Sequence, residues 1–154
     1  MPVRKLKEFL DNEGIKYVTI SHSKAYTAQE VAASAHISGK EMAKTVIVKL
    51  DGAMAMVVLP ANHKVDFDFL ARGLGAKNAA LATEEEFKGL FPDCEPGAMP
   101  PFGNLYGMDV YIEEGLTEGS RIAFNAGSHT EVIRLPYRDF ERLAKPKVFK
   151  ASMQ

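Results

Sequence analysis

The chain has no tryptophan, one cysteine and almost no net charge. Cys94 alone cannot close an internal disulfide, and so thiol-poor a chain suits a reducing compartment. The formal charge of −1 balances 19 basic against 20 acidic residues, so no global basic field advertises nucleic acid. Any contact with tRNA must use a local patch, and no DNA partner is expected. No run of roughly 18 apolar residues occurs, so no membrane span and no membrane partner are expected. The opening Met1-Pro2-Val3-Arg4-Lys5-Leu6-Lys7 mixes charge with apolar residues and lacks a signal-type apolar stretch. The histidines at 22, 36, 63 and 129 show no metal-ligand spacing, and there is no phosphate-binding Gly-x-x-x-x-Gly-Lys run or dinucleotide fingerprint. No metal and no cofactor are called for. What remains is an ordinary globular composition, 46% hydrophobic and 25% charged over 154 residues. It predicts one cytoplasmic domain spanning residues 1–154.

Periodicity and turn chemistry lay out the elements. Val3, Leu6, Phe9 and Leu10 fall at helical spacing before Gly14, and Ile15 to Ile20 reads as a strand. Thr27-Ala28-Gln29-Glu30 is a capping box that should open a short helix with Val31, Ala32 and Ala35. Two apolar segments, Thr45 to Leu50 and Ala53 to Leu59, flank Asp51-Gly52, a two-residue hairpin signal. A helix is expected over Val65 to Leu74, ending at the glycines, and a short strand over Ala79 to Ala82. Thr83-Glu84-Glu85-Glu86 is a second capping box, before a helix with Phe87 and Leu90 inward. A loop from Pro92 to Leu105 carries four prolines and two glycines. Strands follow near 109–113, 121–125 and 131–135, and Pro136 opens a last helix, Tyr137 to Ala144. The pattern is α+β, a single compact domain with a mixed, mostly antiparallel central sheet and flanking short helices.

Three segments stand out as candidates for chemistry. Lys44 sits at the mouth of an apolar strand in Met42-Ala43-Lys44-Thr45-Val46, where a mobile cation can hold a phosphate or steady an oxyanion. Read alone, it is equally a solvated lysine. Gly97-Ala98-Met99-Pro100-Pro101-Phe102-Gly103 is a loop stiffened by proline and turned by glycine, able to line a pocket or simply to connect. Gly127-Ser128-His129-Thr130 presents a histidine between hydroxyl residues, in a loop that leads into a strand.

Taken together, in this order and spacing, Lys44-Thr45, the Gly97-x-x-x-Pro101-Phe102-Gly103 loop and Gly127-Ser128-His129-Thr130 resemble the YbaK family, whose fold is shared with the editing domain inserted in bacterial prolyl-tRNA synthetases. The resemblance covers essentially the whole chain. It implies a free-standing aminoacyl-tRNA deacylase that hydrolyses the ester of a mischarged tRNA, most often tRNA-Pro carrying a small amino acid such as Ala, Ser, Thr or Cys. It places Lys44 on the terminal adenosine phosphate or backbone of the 3′ CCA end, Gly97 to Pro101 at the ester, and His129 beside the amino-acid pocket. Lys44, Gly97 and Pro101 are the catalytic candidates. Thr45, Met42, Val46, Phe102, Gly103, Gly127, Ser128, His129 and Thr130 are the substrate-binding ones. In the alanine-specific branch an asparagine follows the lysine; Thr45 stands here, so the amino acid removed stays open. An aminoacyl-tRNA synthetase is the implied further partner.

Other readings are weaker. Cys94 lies between Asp93 and Glu95, which disfavour a thiolate nucleophile. Glu84 to Glu86 fit a helix N-terminus. Lys145, Lys147 and Lys150 form a modest basic tail. A non-catalytic module that binds aminoacyl-tRNA or an amino acid as a synthetase-associated adaptor is the rival, and hydrolysis of a small thioester is a second.

Overall fold

The computed structural model describes residues 4–22, 37, 41–92, 94–95 and 97–149. The capping box at Thr27 to Glu30, with the helix expected after it, lies outside these residues, as do Val3, His36 and Lys150. Helix α1 (Arg4–Asn12) buries Leu6 and Leu10, and Gly14 takes φ +69° where the chain leaves it. Strand β1 (Val18–Ser21) is shorter than the sequence predicts and starts later. The reason is local: the Ile15 amide donates to Leu10 O, so Ile15 closes the helix and is buried beside it.

Strands β2 (Ala43–Leu50) and β3 (Ala53–Pro60) pair antiparallel around Asp51 and Gly52, both at positive φ (51° and 88°) as a tight primed turn requires. Helix α2 (Phe67–Leu74) is capped by Asp66, whose carboxylate accepts from the Phe69 amide. It ends on Gly75 at φ +70°, with Gly73 inside the helix rather than closing it. Strand β4 (Ala79–Leu81) follows. The Thr83 box forms as read: Thr83 N donates to Glu86 Oε1 at 2.9 Å and Glu86 N to Thr83 Oγ1 at 3.2 Å. The Lys49 ammonium and the Thr83 amide hold the Glu86 carboxyl down at about 2. The helix it opens, α3 (Glu84–Phe87), is one turn long and gives way to a 3-10 turn. Leu90 is therefore 43% exposed, not turned inward.

Strand β5 (Asp109–Glu113), a single-turn helix α4 (Glu114–Thr117), β6 (Arg121–Ser128), β7 (Glu131–Pro136), α5 (Tyr137–Ala144) and β8 (Lys147–Phe149) complete the order. Neither α4 nor β8 was expected. Pro136 occupies the N-cap of α5, with φ −60° and ψ 136°. The fold is α+β, but the strands form two sheets rather than one: β1-β7-β6, all antiparallel, and the mixed β4-β2-β3-β5-β8. A core of Phe102, Phe124, Phe140, Ile112, Ile122 and Ile133 fills the space between them, with Phe102 edge-on to Phe9, Phe124 and Phe140.

The sheets meet at one point. Met42 bridges Ala123 in parallel sense, and the Ala123 amide donates to Glu41 O at 3.0 Å. Beyond that bridge β2 turns to pair with β3 and β4, and β6 with β7 alone. From the bridge onward the two strands take different partners and part.

Candidate functional site

Two residues past the bridge, on either side of the split, stand Lys44 on β2 and Asn125 on β6. Side chains alternate along a strand, so Asn125 shares the face of Ala123, which packs against Met42, Ala61, Ile37 and Val132. Phe124 and Ala126 go to the main core. Asn125 is 7% exposed, and among the described residues its Oδ1 has no hydrogen-bond partner. A buried carbonyl oxygen without a donor is costly, by about 1–3 kcal/mol, which marks the position as one where a polar group from outside fits.

Further along, β6 and β7 slip register between Asn125 and Ser128, with Gly127 at φ +90°, and His129-Thr130 make the tight turn between the strands. The proline-rich loop docks here. Glu95 N donates to Gly127 O and Gly127 N to Ala98 O, each at 2.8 Å, while the Glu95 carboxylate accepts from His129 N at 2.9 Å. Gly97 takes φ +83°, and a Cβ there would come 3.7 Å from His129 Cε1. The structure thus joins two of the three segments singled out in the sequence, with His129 buried at their seam. The Ser128 and Thr130 hydroxyls lie 3.3 Å apart across the turn.

Lys44 belongs to a different neighbourhood. It is half-buried opposite Leu59, and one strand further over, one step beyond the Val58–Ile112 pair, comes Glu113. Burial lowers the Lys44 pKa from the ordinary lysine value; Lys64 lowers it further, and Glu113 opposes both. Glu113 is 1% exposed: its Oε1 meets His63 Nδ1 at 2.6 Å, and its Oε2 has no hydrogen-bond partner among the described residues. A buried carboxylate needs compensation, and here a histidine and two ammonium groups face it. The balance still lies below the ordinary lysine value, because burial and Lys64 outweigh the carboxylate.

The remaining candidates divide plainly. Met42 is fully buried under the bridge, Val46 half-buried on the Lys44 face, and Thr45 points to the opposite face. Phe102 is in the aromatic core. Pro101 is buried behind the loop, and Gly103 opens a 3-10 turn so crowded that a Cβ would sit 2.4 Å from Met108 O. Cys94 Sγ lies 3.5 Å from the Tyr106 hydroxyl. Sequence reading missed Asn125, Glu95, Glu113 and His63. The signal for Asn125 was an amide at an inward-pairing strand position; for the Glu113–His63 pair, fifty residues apart, there was none. No group of three or more His, Cys, Asp or Glu suited to a metal ion occurs among the described residues.

This arrangement sits in a known family. The aminoacyl-tRNA editing domain model matches residues 22–143, and the chain belongs to that family. It is 27% identical to proline–tRNA ligase of Bacillus mycoides over 116 residues, 73% of this chain and 20% of that one. Against the ligase of Macrococcus caseolyticus the identity is 24% over 100 residues, 65% and 17%. The chain thus spans about a fifth of the length of the relatives it matches. Among solved structures, a candidate trans-editing enzyme for prolyl tRNA synthetase superposes with a TM-score of 0.82 at 19% identity, covering 99% of this chain and 97% of that one. A candidate signal-transduction protein from Marinobacter aquaeolei superposes at 0.75 and 18% identity, over 100% of this chain and 31% of that one. At such identities the likeness shows the fold alone, and the fold serves differently described proteins.

Proposed function

We propose that this chain is a trans-editing hydrolase that deacylates mischarged aminoacyl-tRNA, with tRNA-Pro carrying a small amino acid as its substrate. The observation that carries the reading is the seam of the Gly97 and His129 loops, set beside a split between strands whose near wall holds Lys44. An aminoacyl ester is already activated, so hydrolysis needs orientation and charge stabilisation more than a nucleophile–base pair. The amides of Glu95, Ala98, Gly127 and His129 are spent on holding the loops together. That leaves the Lys44 ammonium as the group to grip the 3′-terminal phosphate or to meet charge developing on the ester oxygen, an interaction worth about 3–4 kcal/mol in a preorganised site. The Asn125 carbonyl is placed to accept from the substrate's α-ammonium group.

In this reading the stiff Gly97–His129 seam is the sieve. A methylene more or less in an apolar pocket is worth only about 1–3 kcal/mol, which is why small side chains need a second, hydrolytic check. The attacking water is oriented by the free hydroxyl of the substrate's terminal ribose. Single-turnover deacylation of a mischarged tRNA-Pro tests the whole. Release well above the enzyme-free rate is expected, with a marked loss when the terminal ribose lacks that hydroxyl. An unchanged rate with the deoxy substrate would sink the substrate-assisted route, and no release at all would sink the hydrolase.

A further inference from the structure

A net charge of −1 poses a problem for any protein that handles tRNA, since phosphate contacts dominate such binding. The three-stranded sheet carries an answer at the end away from His129. Val18 pairs with Arg134, Arg134 with Ala123, and Arg121 with Pro136. By alternation Arg134 and Arg121 share the face of Val18, diagonally placed on β7 and β6 about 7–8 Å apart, and Lys16, two residues before β1, lines the same groove. Ile133 and Leu135 are buried on the other face, so the arginine between them points away from the core. A surface groove runs between these cations, lined also by Tyr17, Val18 and Pro136. Val18 is 51% exposed at its centre, an apolar floor with no cover among the described residues.

The acidic neighbours leave the groove positive. Glu41 pairs with Arg121 at 2.9 Å, which orients the guanidinium while half its surface stays in solvent. The Tyr17 hydroxyl donates to Asp11, and Glu131 lies towards the same side. Among the described residues no carboxylate is paired with Lys16 or Arg134, so the row sets three cations against Glu41, with Asp11 and the Lys7-paired Glu131 at its margin.

We infer that this groove is the docking surface for the acceptor-stem phosphates of tRNA. The inference rests on the proposed function, because it takes the 3′ end to lie at the split. The row shares the sheet face of Asn125 and Ala123. At about 3.3 Å per residue, Arg121 lies about 13 Å from Asn125, and the row ends about 23 Å from the His129 turn. A stacked strand rises about 3.4 Å per nucleotide, so the interval spans about four to seven nucleotides, the reach from a terminal adenosine to the first paired phosphates. Arginine suits this role, since its planar fork meets phosphate oxygens in pairs.

The test is binding of an uncharged acceptor-stem minihelix across a salt series, with wild type beside a Lys16→Ala/Arg134→Gln double variant, both checked for unchanged Tm. The variant is expected to bind about tenfold more weakly at low salt, with the slope of log K against log salt reduced by about 1.4–1.8 for two lost phosphate contacts. In parallel, hydrolysis of a 3′-aminoacyl-adenosine, which lacks the stem, should be unaffected. Equal affinity and an equal slope overturn the groove, as does a variant whose only defect is weaker association with a synthetase. Because the minihelix assay needs no turnover, failure of the hydrolase reading shows separately, as wild type releasing amino acid from neither substrate.

Discussion

The two walls on either side of the split between β2 and β6 are built by opposite physics. On the β6 side, loop and hairpin exchange three hydrogen bonds between named backbone and carboxylate groups, and a glycine at φ +83° sits where they meet. On the β2 side, a half-buried ammonium, a second lysine, a histidine and a fully buried carboxylate share one small region, and one carboxylate oxygen has no donor among the described residues. The first wall is tied together by these bonds, although Asn125 Oδ1 has no hydrogen-bond partner among the described residues, and on the proposed function it measures size. The second is charged and only partly satisfied, suited to meeting a charge that arrives with the ligand. On the proposed function a sieve and an electrostatic grip occupy separate elements and should fail separately.

The largest expected effect comes from the charged wall. Lys44→Ala should lower single-turnover deacylation by about 10²–10³, the size of one lost oxyanion donor, with little change in Tm. A fall in Tm matching the loss of rate would show instead that the lysine is structural. On the opposite wall, His129→Ala should leave the rate on a small mischarged residue within a few fold while raising release of cognate proline by about tenfold, the scale of pocket discrimination. Equal losses on both substrates would mean that the histidine belongs to the chemistry.

Gly97→Ala probes the seam itself. A side chain at that φ costs about 1–2 kcal/mol, while its Cβ would meet His129 only at ordinary contact distance, so Tm should drop by the backbone strain with selectivity little changed. The pH dependence separates the walls again. Burial and Lys64 depress the Lys44 pKa, so a folded protein that needs the ammonium loses activity at a lower pH than an ordinary lysine would dictate. Glu113 raises that pKa, hence Glu113→Gln should move the alkaline limb to lower pH, and Lys64→Ala should move it up. Rates corrected for spontaneous ester hydrolysis would show both shifts. The linked stability has a definite sign as well: the cost of burying the ammonium is present below the depressed pKa and is relieved as pH rises through it. The smallest effect lies far from either wall. Thr83→Ala removes one half of the capping box and should cost about 1 kcal/mol with no change in activity.

The local part of this organisation was legible in the sequence and the long-range part was not. Asp51-Gly52 announced its hairpin because two residues at positive φ leave few alternatives. Thr83 and Glu86 announced their box because reciprocal capping is a four-residue affair. The family motif placed Gly97 and His129 in one site before any fold was known, and the hydrogen bonds between their loops give that association a geometry. Leu90 misled because helical periodicity says nothing about where a helix stops. The division into two sheets hangs on the Met42–Ala123 bridge, which spans eighty-one positions and leaves no periodic trace. Nothing in the sequence pairs Glu113 with His63, and it is the extension of β5 alongside β3 that buries the carboxylate.

The proposed function has this chain editing tRNA-Pro with Lys44 as its grip. It is tested most directly by amino-acid release from tRNA-Pro charged in turn with Ala, Ser, Thr, Cys and Pro, using wild type and Lys44→Ala side by side. The account predicts that wild type releases at least one of the small residues, spares cognate proline, and loses that activity in the variant. Binding of every charged tRNA with no release from any of them would contradict it and make the chain a binding module.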